Sequence, residues 1–209
     1  MNQKRFIEES FPVKEVSVES AKEKNIRHGH ISTLHIWWAR RPLASSRSTN
    51  FAALVPASDD PVEWQKRRDF IIEFSKWENS LRQDLIERAR KEILDANGVV
   101  PPKVLDPFAG GGAIPLEALR LGCETYASDL NPVAVLLLKC TLEYPQKHGR
   151  PVPKKVTGEG KPGEQGEVFE ERIVNPLLED VKKWRGWGIW RNRGDVRRTW
   201  NNLHPLCHE

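Results

Sequence analysis

Two aspartates and three consecutive glycines are the part of this 209-residue sequence best suited to holding a ligand. Asp106 precedes the glycines at 110–112, and Asp129 follows 23 residues after Asp106. Glycine permits a positive φ and lets the backbone lie close against a ligand. The amides of such a turn, together with a helix N-terminus, form a positively biased notch. We therefore predict a ligand-binding turn at residues 106–112.

The charges beside this turn indicate which ligand it holds. The dinucleotide fingerprint G-x-G-x-x-G would require a third glycine at position 115, which is Pro115. A phosphate-binding loop would require Gly-Lys-Ser/Thr, whereas residues 160–162 are Gly-Lys-Pro. Asp106 suits the sulfonium and ammonium of S-adenosylmethionine better than a pyrophosphate, and Asp129 stands where open α/β sheets bind ribose hydroxyls. We predict S-adenosylmethionine, with a dinucleotide or a turn without a ligand as alternatives.

Strand and helix signals alternate around the two aspartates. The segments are KVLD (103–106) as a buried strand, AIPLEALRLG (113–122) as a helix, CETYASD (123–129) as a second strand and PVAVLLLKCTLEY (132–144) as a second helix. Gly122 is expected to end the first helix, and Asn131 to begin the second. This order predicts the start of a right-handed parallel α/β sheet.

Helical periodicity dominates the sequence before the first strand. Apolar residues recur three to four positions apart from Phe70 to Ile93, which predicts one long helix beginning at Pro61 and ending at Asn97. The predicted divisions are 1–56, an N-terminal segment with a Trp-Trp-Ala-Arg-Arg-Pro motif; 57–98, a helical insertion; 99–144, a cofactor-binding core; 145–167, a mobile loop; and 168–209, a helical, basic segment rich in tryptophan.

The composition changes after residue 144. Residues 145–167 are rich in Pro, Gly and Lys, which predicts a mobile loop, with a β-ribbon as the alternative. Helical periodicity returns over residues 168–190, although Gly186 and Gly188 are expected to interrupt a regular helix. The tryptophans and basic residues of this segment suit either nucleic-acid binding or a core.

The stretch HIWWARRP, at residues 35–42, combines aromatic rings with guanidinium groups. Trp37, Trp38 and Arg40 form a basic surface capable of stacking, which predicts nucleic-acid binding. A tryptophan pair packed in a helical core, with arginines at its rim, is the alternative. The net charge of +4 and the pI near 9.0 are compatible with a nucleic-acid partner.

Two stretches carry a resemblance to a known family. DPFAGGGAIPLEALRLG and SDLNPVA resemble the cofactor motifs of amino-group DNA methyltransferases, in which Asp-Pro-Phe-x-Gly-x-Gly recurs. Residues 8–47 are similar to the domain of unknown function that opens large bacterial and archaeal adenine-specific DNA methylases, some of them encoded with anti-phage genes. The resemblance covers residues 5–145. It implies an α/β fold, a partial class I S-adenosylmethionine-dependent methyltransferase (Rossmann-like) fold with an N-terminal helical region.

The resemblance also implies which residues contact the cofactor. They are Asp106, Pro107, Phe108, Ala109, Gly110, Gly112, Asp129, Leu130, Asn131 and Arg41. Arg41 is included because Arg41-Pro42-Leu43 resembles a Lys-Pro-Leu motif that supports the methionine end of the cofactor, and a guanidinium can bind a carboxylate bidentately. Between Leu43 and Asp106 lie 62 residues, 44–105, more than these relatives usually have, so a helical insertion is required.

The catalytic element of the resembled enzymes, Asp/Asn-Pro-Pro-Tyr/Phe, does not occur in this sequence. The closest imitation, residues 175–178, lies in a helical pattern and lacks the second proline and the ring. We therefore predict no catalytic residue and expect the N-terminal part of a DNA adenine-N6 methyltransferase of a restriction–modification or anti-phage system, from a truncated or split gene. DNA and a downstream polypeptide that completes the fold are the expected partners. A nucleic-acid-binding module with a vestigial cofactor site and a small methyltransferase with another substrate are the alternatives.

Composition indicates the compartment. Apolar runs such as residues 134–138 are far shorter than the roughly 20 residues that a membrane span needs. The sequence start lacks a signal-peptide core, so we expect a cytoplasmic protein without membrane contact. Three scattered cysteines indicate no disulfide framework, and no metal site is predicted; the cluster of His204, Cys207 and His208 is interpreted as a frayed terminus.

Overall fold

The computed structural model describes residues 4–26, 35–157 and 169–190, which fall into two compact units, Met1–Glu143 and Tyr144–Glu209. The helices are α1 (Phe6–Glu9), α2 (Val13–Lys24), α3 (Leu43–Leu54), α4 (Pro61–Ser75), α5 (Gln83–Ala96), α6 (Ala113–Arg120), α7 (Pro132–Leu138), α8 (Tyr144–His148) and α9 (Pro176–Trp190). The strands are β1 (Lys103–Asp106), β2 (Glu124–Ala127), β3 (Val152–Thr157) and β4 (Phe169–Val174). None of these helices combines the length and apolarity that crossing a bilayer requires.

One hydrophobic core joins the predicted N-terminal segment, the predicted helical insertion and the first part of the α/β segment. Three phenylalanine rings lie at its centre: Phe70 and Phe74 stack at 5.3 Å, and Phe51 meets Phe70 edge-on at 5.1 Å. Other buried members come from α1, α2, α5, α6 and the link between α6 and β2, namely Phe6, Val16, Ile86, Ile93, Ala118, Leu121 and Cys123. Because they share one core, these segments fold as one body.

The helix predicted from Pro61 to Asn97 is two helices, so that prediction is wrong at its centre. Its ends are confirmed: Asp60 caps α4 by accepting from the Val62 amide at 3.0 Å, and Asn97 follows the last residue of α5. α4 stops at Ser75, and a short 3₁₀ turn follows at Trp77–Asn79.

The physical reason for the break lies in side chains far away in the sequence. The Arg47 Nε donates to the Phe74 carbonyl at 2.9 Å, and Glu19 accepts from the Trp77 amide at 3.2 Å. A continuing helix would need the same two backbone groups for its own i→i−4 hydrogen bonds. The spacing of apolar residues in the sequence does not reveal this competition.

The predicted strand–helix–strand order is confirmed. β1 and β2 are parallel, with Lys103 opposite Glu124 and Asp106 opposite Ala127, and α6 packs against both strands. Gly122, at φ +81°, follows α6. The prediction that β1 is buried is wrong, because Leu105 is 68% exposed. Side chains alternate between the two faces of a sheet, and in the described residues α6 covers only one of them.

The predicted second helix begins where expected but is not uniform. The Asn131 side chain accepts from the Val133 amide at 2.9 Å, which caps the start of α7. A π-helical turn, Lys139–Glu143, follows directly. Its Thr141 hydroxyl donates to the Leu137 carbonyl at 2.8 Å. Such insertions of a wider turn are frequent at functional sites and cannot be detected from apolar periodicity.

The second unit corrects three predictions. β3 pairs antiparallel with β4, with Val152 opposite Val174, and α8 occupies Tyr144–His148. The mobile loop predicted for residues 145–167 is therefore wrong at residues 145–148 and 152–157, and the alternative of a β-ribbon is confirmed, with its second strand after residue 167. The helix predicted from residue 168 begins only at Pro176, after a strand.

The third correction concerns α9, which continues through Gly186 and Gly188. Each internal glycine destabilises a helix by about 1 kcal/mol relative to alanine, and a helix of four turns remains formed despite this loss. The Asn175 side chain caps this helix by accepting from the Leu178 amide at 3.2 Å, so residues 175–178 form a helix start. The predictions for Trp200 and for the cluster at His204–His208 lie outside the described residues.

Candidate ligand-binding site

The glycine turn connects β1 to α6 in a conformation that requires glycine. Gly110 and Gly112 have φ values of +50° and +80°, in the left-handed region that side chains disfavour. Gly112 is also the residue before the first turn of α6. Asp106, at the end of β1, accepts from the Phe108 amide at 3.2 Å. The turn therefore places a carboxylate at the carboxyl end of a strand, whereas the amides of Phe108, Ala109, Gly110 and Gly112 already donate to protein oxygens.

Asp129 fastens this turn to β2. Its Oδ2 accepts from the Gly110 amide at 2.8 Å, and its Oδ1 accepts from the Asn131 amide at 2.8 Å. These backbone hydrogen bonds, that of Asn131 foremost, lower the pKa of the Asp129 carboxyl below its ordinary value. Each carboxylate oxygen has a second lone pair, so the predicted contact with ribose hydroxyls is compatible with these two bonds.

Trp37 lies directly against the glycines. A Cβ added to Gly110 would lie 2.6 Å from the Trp37 Nε1, and one added to Gly111 would lie 3.2 Å from the Trp37 Cβ. Trp37 is 7% exposed. The space beside these glycines is therefore filled by the Trp37 side chain. This contact places the HIWWARRP stretch against a turn that is more than 60 residues away in the sequence.

A buried carboxylate fixes the end of the HIWWARRP stretch. Glu23 is 1% exposed, and its two oxygens accept from the Leu43 and Ala44 amides, each at 2.9 Å. These amides are orphan donors at the start of α3, where negative charge is favoured. Asn50 then ties α3 to α6 by donating to the Ile114 carbonyl at 3.1 Å. The position of Arg40 and Arg41 is set by these contacts.

A cavity of about 320 Å³ opens where the stretch meets the turn. This volume is within the range of small-molecule sites, about 300–1,000 Å³. Its wall comes from three parts of the chain: the stretch (His35, Trp37, Ala39, Arg40, Arg41, Leu43), the turn (Asp106, Phe108, Ala109, Gly110, Gly111) and the following helices (Ala113, Ile114, Leu116, Leu137, Thr141). Its charged groups are the two guanidiniums and the Asp106 carboxylate, so it can accept a ligand that carries both signs of charge.

The structure places the predicted cofactor residues in two groups. Five of them line the cavity: Arg41, Asp106, Phe108, Ala109 and Gly110. The other five lie outside its lining: Pro107, Gly112, Asp129, Leu130 and Asn131. Gly112 and Asp129 shape the turn, and the Asn131 side chain caps α7, whereas the Leu130 side chain is exposed and contributes nothing to the cavity.

Sequence reasoning missed several lining residues. Leu137 and Thr141 reach the cavity from α7 and the π-helical turn, whose geometry no sequence signal indicated. His35 could have been found, because it stands two positions before Trp37 in the same motif, and its ring lies 6.3 Å from that of Trp37. No cluster of three or more metal-ligating side chains occurs in the part of the chain that the structure describes.

The two tryptophans of the stretch differ in role. Trp37 is buried against the glycines, which argues against its predicted direct contact with nucleic acid. Trp38 is 78% exposed and stacks on Trp37, with 4.2 Å between ring centroids. Arg40 is half-buried and lines the cavity. The alternative of a tryptophan packed in the core therefore fits the first ring but not the second.

A buried ion network connects α3 with α6. The Arg47 Nη1 lies 3.8 Å from the Glu117 Oε1, which also pairs with Arg120 at 2.7 Å. Burial raises the pKa of the Glu117 carboxyl and lowers that of Arg47, although each opposite charge counteracts the shift. Leu43 of α3 and Ala113 of α6 both line the cavity, so this network connects two helices that form the cavity wall.

Comparison with known proteins shows a similarity that is confined to the N-terminal part. Residues 10–80 match the family model described as "Protein of unknown function (DUF1156)". The match contains the HIWWARRP stretch and α4, but not the glycine turn. It confirms the predicted similarity of the N-terminal segment to a domain of unknown function. No curated protein and no solved structure matches the chain.

Proposed function

We propose that this chain binds S-adenosylmethionine as the cofactor-binding part of an adenine-N6 DNA methyltransferase. The observation that carries the proposal is the meeting of Arg40 and Arg41 with Asp106 in one cavity beside the glycine turn. The HIWWARRP stretch and the glycine turn were each predicted from their own sequence motif. Nothing in the sequence between them required the two to meet in one cavity.

The charges of the cavity suit this ligand. S-adenosylmethionine carries an ammonium and a sulfonium, which a carboxylate such as Asp106 attracts, and a carboxylate, which a guanidinium can bind with two hydrogen bonds. Arg41 is exposed on the cavity wall and is the residue we assign to the ligand carboxylate. Asp129, which lies outside the lining of the cavity, is assigned to the ribose hydroxyls of a ligand that extends beyond it. When bound, the cofactor supplies an activated methyl group; the residues described here hold it.

The proposal includes a Rossmann-like fold and further polypeptide. Parallel sheets are stable when both faces are covered, whereas Leu105 and its register partner Tyr126 are exposed on one face of the β1–β2 sheet. This supports the expectation that another segment, carrying the base-gripping catalytic element, covers that face. DNA is the proposed substrate, and a restriction–modification or anti-phage system is the proposed context.

Calorimetry with S-adenosylhomocysteine and S-adenosylmethionine tests the proposal, using two glycine variants. In Gly110→Ala the new Cβ would meet the Trp37 ring at 2.6 Å, so we expect at least tenfold weaker binding. Gly98→Ala is the matched control, because Gly98 also has a positive φ, +73°, but has open space around it. We expect that variant to lose about 1–2 kcal/mol of stability and to keep its cofactor affinity.

Two results would contradict the proposal. Equal affinity of the wild type and Gly110→Ala would mean that the turn is structural and holds no ligand. Binding of adenosine dinucleotides in preference to S-adenosylhomocysteine would assign the cavity to another cofactor. Arg41→Ala is expected to weaken binding less than Gly110→Ala does, because it removes one contact and leaves the backbone unchanged.

A further inference from the structure

The outer face of Trp38 is a large aromatic surface that the fold leaves exposed and holds in place. Its inner face stacks on Trp37 at 4.2 Å, with 23° between the ring planes. Trp37 is fixed in turn by its contacts with Gly110 and Gly111. In the described residues, Trp37 is the ring that stacks on Trp38, which remains 78% exposed. An exposed aromatic ring that is rigidly supported from behind is suited to receive another planar group.

Positive charge accompanies this ring. Arg40 and Arg41 follow Trp38 by two and three residues, and residues 35–43 contain no acidic side chain. The whole chain carries a net charge of +4. Charge complementarity therefore favours a partner that combines planar, apolar faces with negative charge, and a nucleic acid has both.

We propose that Trp38 stacks an unpaired nucleobase and that Arg40 neutralises a neighbouring phosphate. In a duplex both faces of each internal base are covered by its neighbours, so a single ring face can receive only a base that is unpaired or turned out of the helix. The stacking face of Trp38 lies outside the lining of the cavity assigned to the cofactor, whereas Arg40 is part of that lining, so the two sites adjoin at Arg40. The stacking site requires no cofactor.

Fluorescence anisotropy with a labelled single-stranded DNA of about 12 nucleotides, without cofactor, tests this site. Stacking of one base on an aromatic ring predicts that Trp38→Ala weakens binding by about tenfold or more. Trp38→Phe keeps a ring and is expected to retain most of the affinity. Leu81→Ala is the control for loss of an exposed apolar side chain, since Leu81 is also 78% exposed, and it should leave binding unchanged.

A second pair of variants tests the charge. Arg40→Gln should weaken binding and reduce its salt dependence by about one phosphate contact. Arg82→Gln removes the same charge from an exposed position outside residues 35–43, so it should change neither the affinity nor its salt dependence. RNA of the same sequence distinguishes the source of the base: tighter RNA binding would retain the stacking site and assign it to RNA.

Several results would overturn the proposal. They are the absence of oligonucleotide binding, unchanged affinity in Trp38→Ala, and equal binding of duplex and single strand. Light scattering adds another: if Trp38→Ala turns a dimer into a monomer without changing oligonucleotide affinity, the ring is a self-association surface. The anisotropy measurement contains no cofactor. A negative result therefore does not affect the calorimetric test of cofactor binding, and a negative calorimetric result does not affect the stacking site.

Discussion

At the scale of single residues, the most informative side chain is Asp129. Its carboxylate joins the glycine turn to the start of α7 through the Gly110 and Asn131 amides. Backbone hydrogen bonds that favour the ionised form lower its pKa below the ordinary 3.8. Asp129 was predicted to bind a ligand because it follows a strand. The structure shows that it also holds the turn in place.

The lowered pKa predicts how stability depends on pH. Because the folded-state pKa of Asp129 lies below the unfolded value of 3.8, its stabilisation is complete above that value and is lost as the pH falls through the folded-state pKa. Asp129→Asn should therefore be less stable at neutral pH and lose less stability on acidification. Urea unfolding at a series of pH values measures this, with the exposed Asp59→Asn as control. Parallel pH profiles for the wild type and Asp129→Asn would refute the assigned role.

At the scale of elements, the site depends on how α3 begins. Pro42 precedes its first residue and leaves the next two amides to Glu23, which reaches them from α2. The same helix carries Arg47, whose hydrogen bond to Phe74 ends α4. One element thus sets the position of the arginines and divides the helical insertion.

We expect Glu23→Ala to cost about 2–4 kcal/mol of the free energy of unfolding. Two hydrogen bonds to a buried carboxylate are lost, and two amides are left without their acceptor. Glu63→Ala is the control, since Glu63 is exposed in the first turn of α4, and it should change stability by no more than about 0.5 kcal/mol. Thermal and urea unfolding measure both. If Glu23→Ala is as stable as the control, the cap does not position α3.

At the scale of the whole molecule, binding of the proposed cofactor and transfer of its methyl group are separate tasks. The cavity is lined by residues 35–141, whereas the sequence has no Asp/Asn-Pro-Pro-aromatic element to hold an adenine amino group. Misplacement of reacting groups by about 1 Å can already reduce a rate a hundredfold. A bound cofactor alone is therefore insufficient for transfer.

We accordingly expect no incorporation of a radiolabelled methyl group into DNA by this chain at saturating S-adenosylmethionine. Methylation by the purified chain that disappears in Asp106→Ala would show a catalytic element that the motifs do not reveal. Methylation that arises only when a second polypeptide is added would support the proposed partner on the exposed Leu105 face. Mixed genomic DNA is the appropriate substrate, because no target sequence is assumed.

The sequence by itself determined the local features. Backbone chemistry made the glycine turn, the Asn131 cap and the strand–helix–strand order predictable, because each depends on residues only a few positions apart. The same local reasoning missed the break after Ser75 and the π-helical turn, and it gave the β3–β4 ribbon only as an alternative. These features depend on long-range hydrogen bonds, packing or cross-strand pairing. Only the tertiary structure decided that Trp37 covers the glycines, that Trp38 faces outward and that Arg41 shares a cavity with Asp106. The reason is that buried contacts such as those of Glu23 and Arg47, made across 20 or more positions, leave no periodic signal in the sequence.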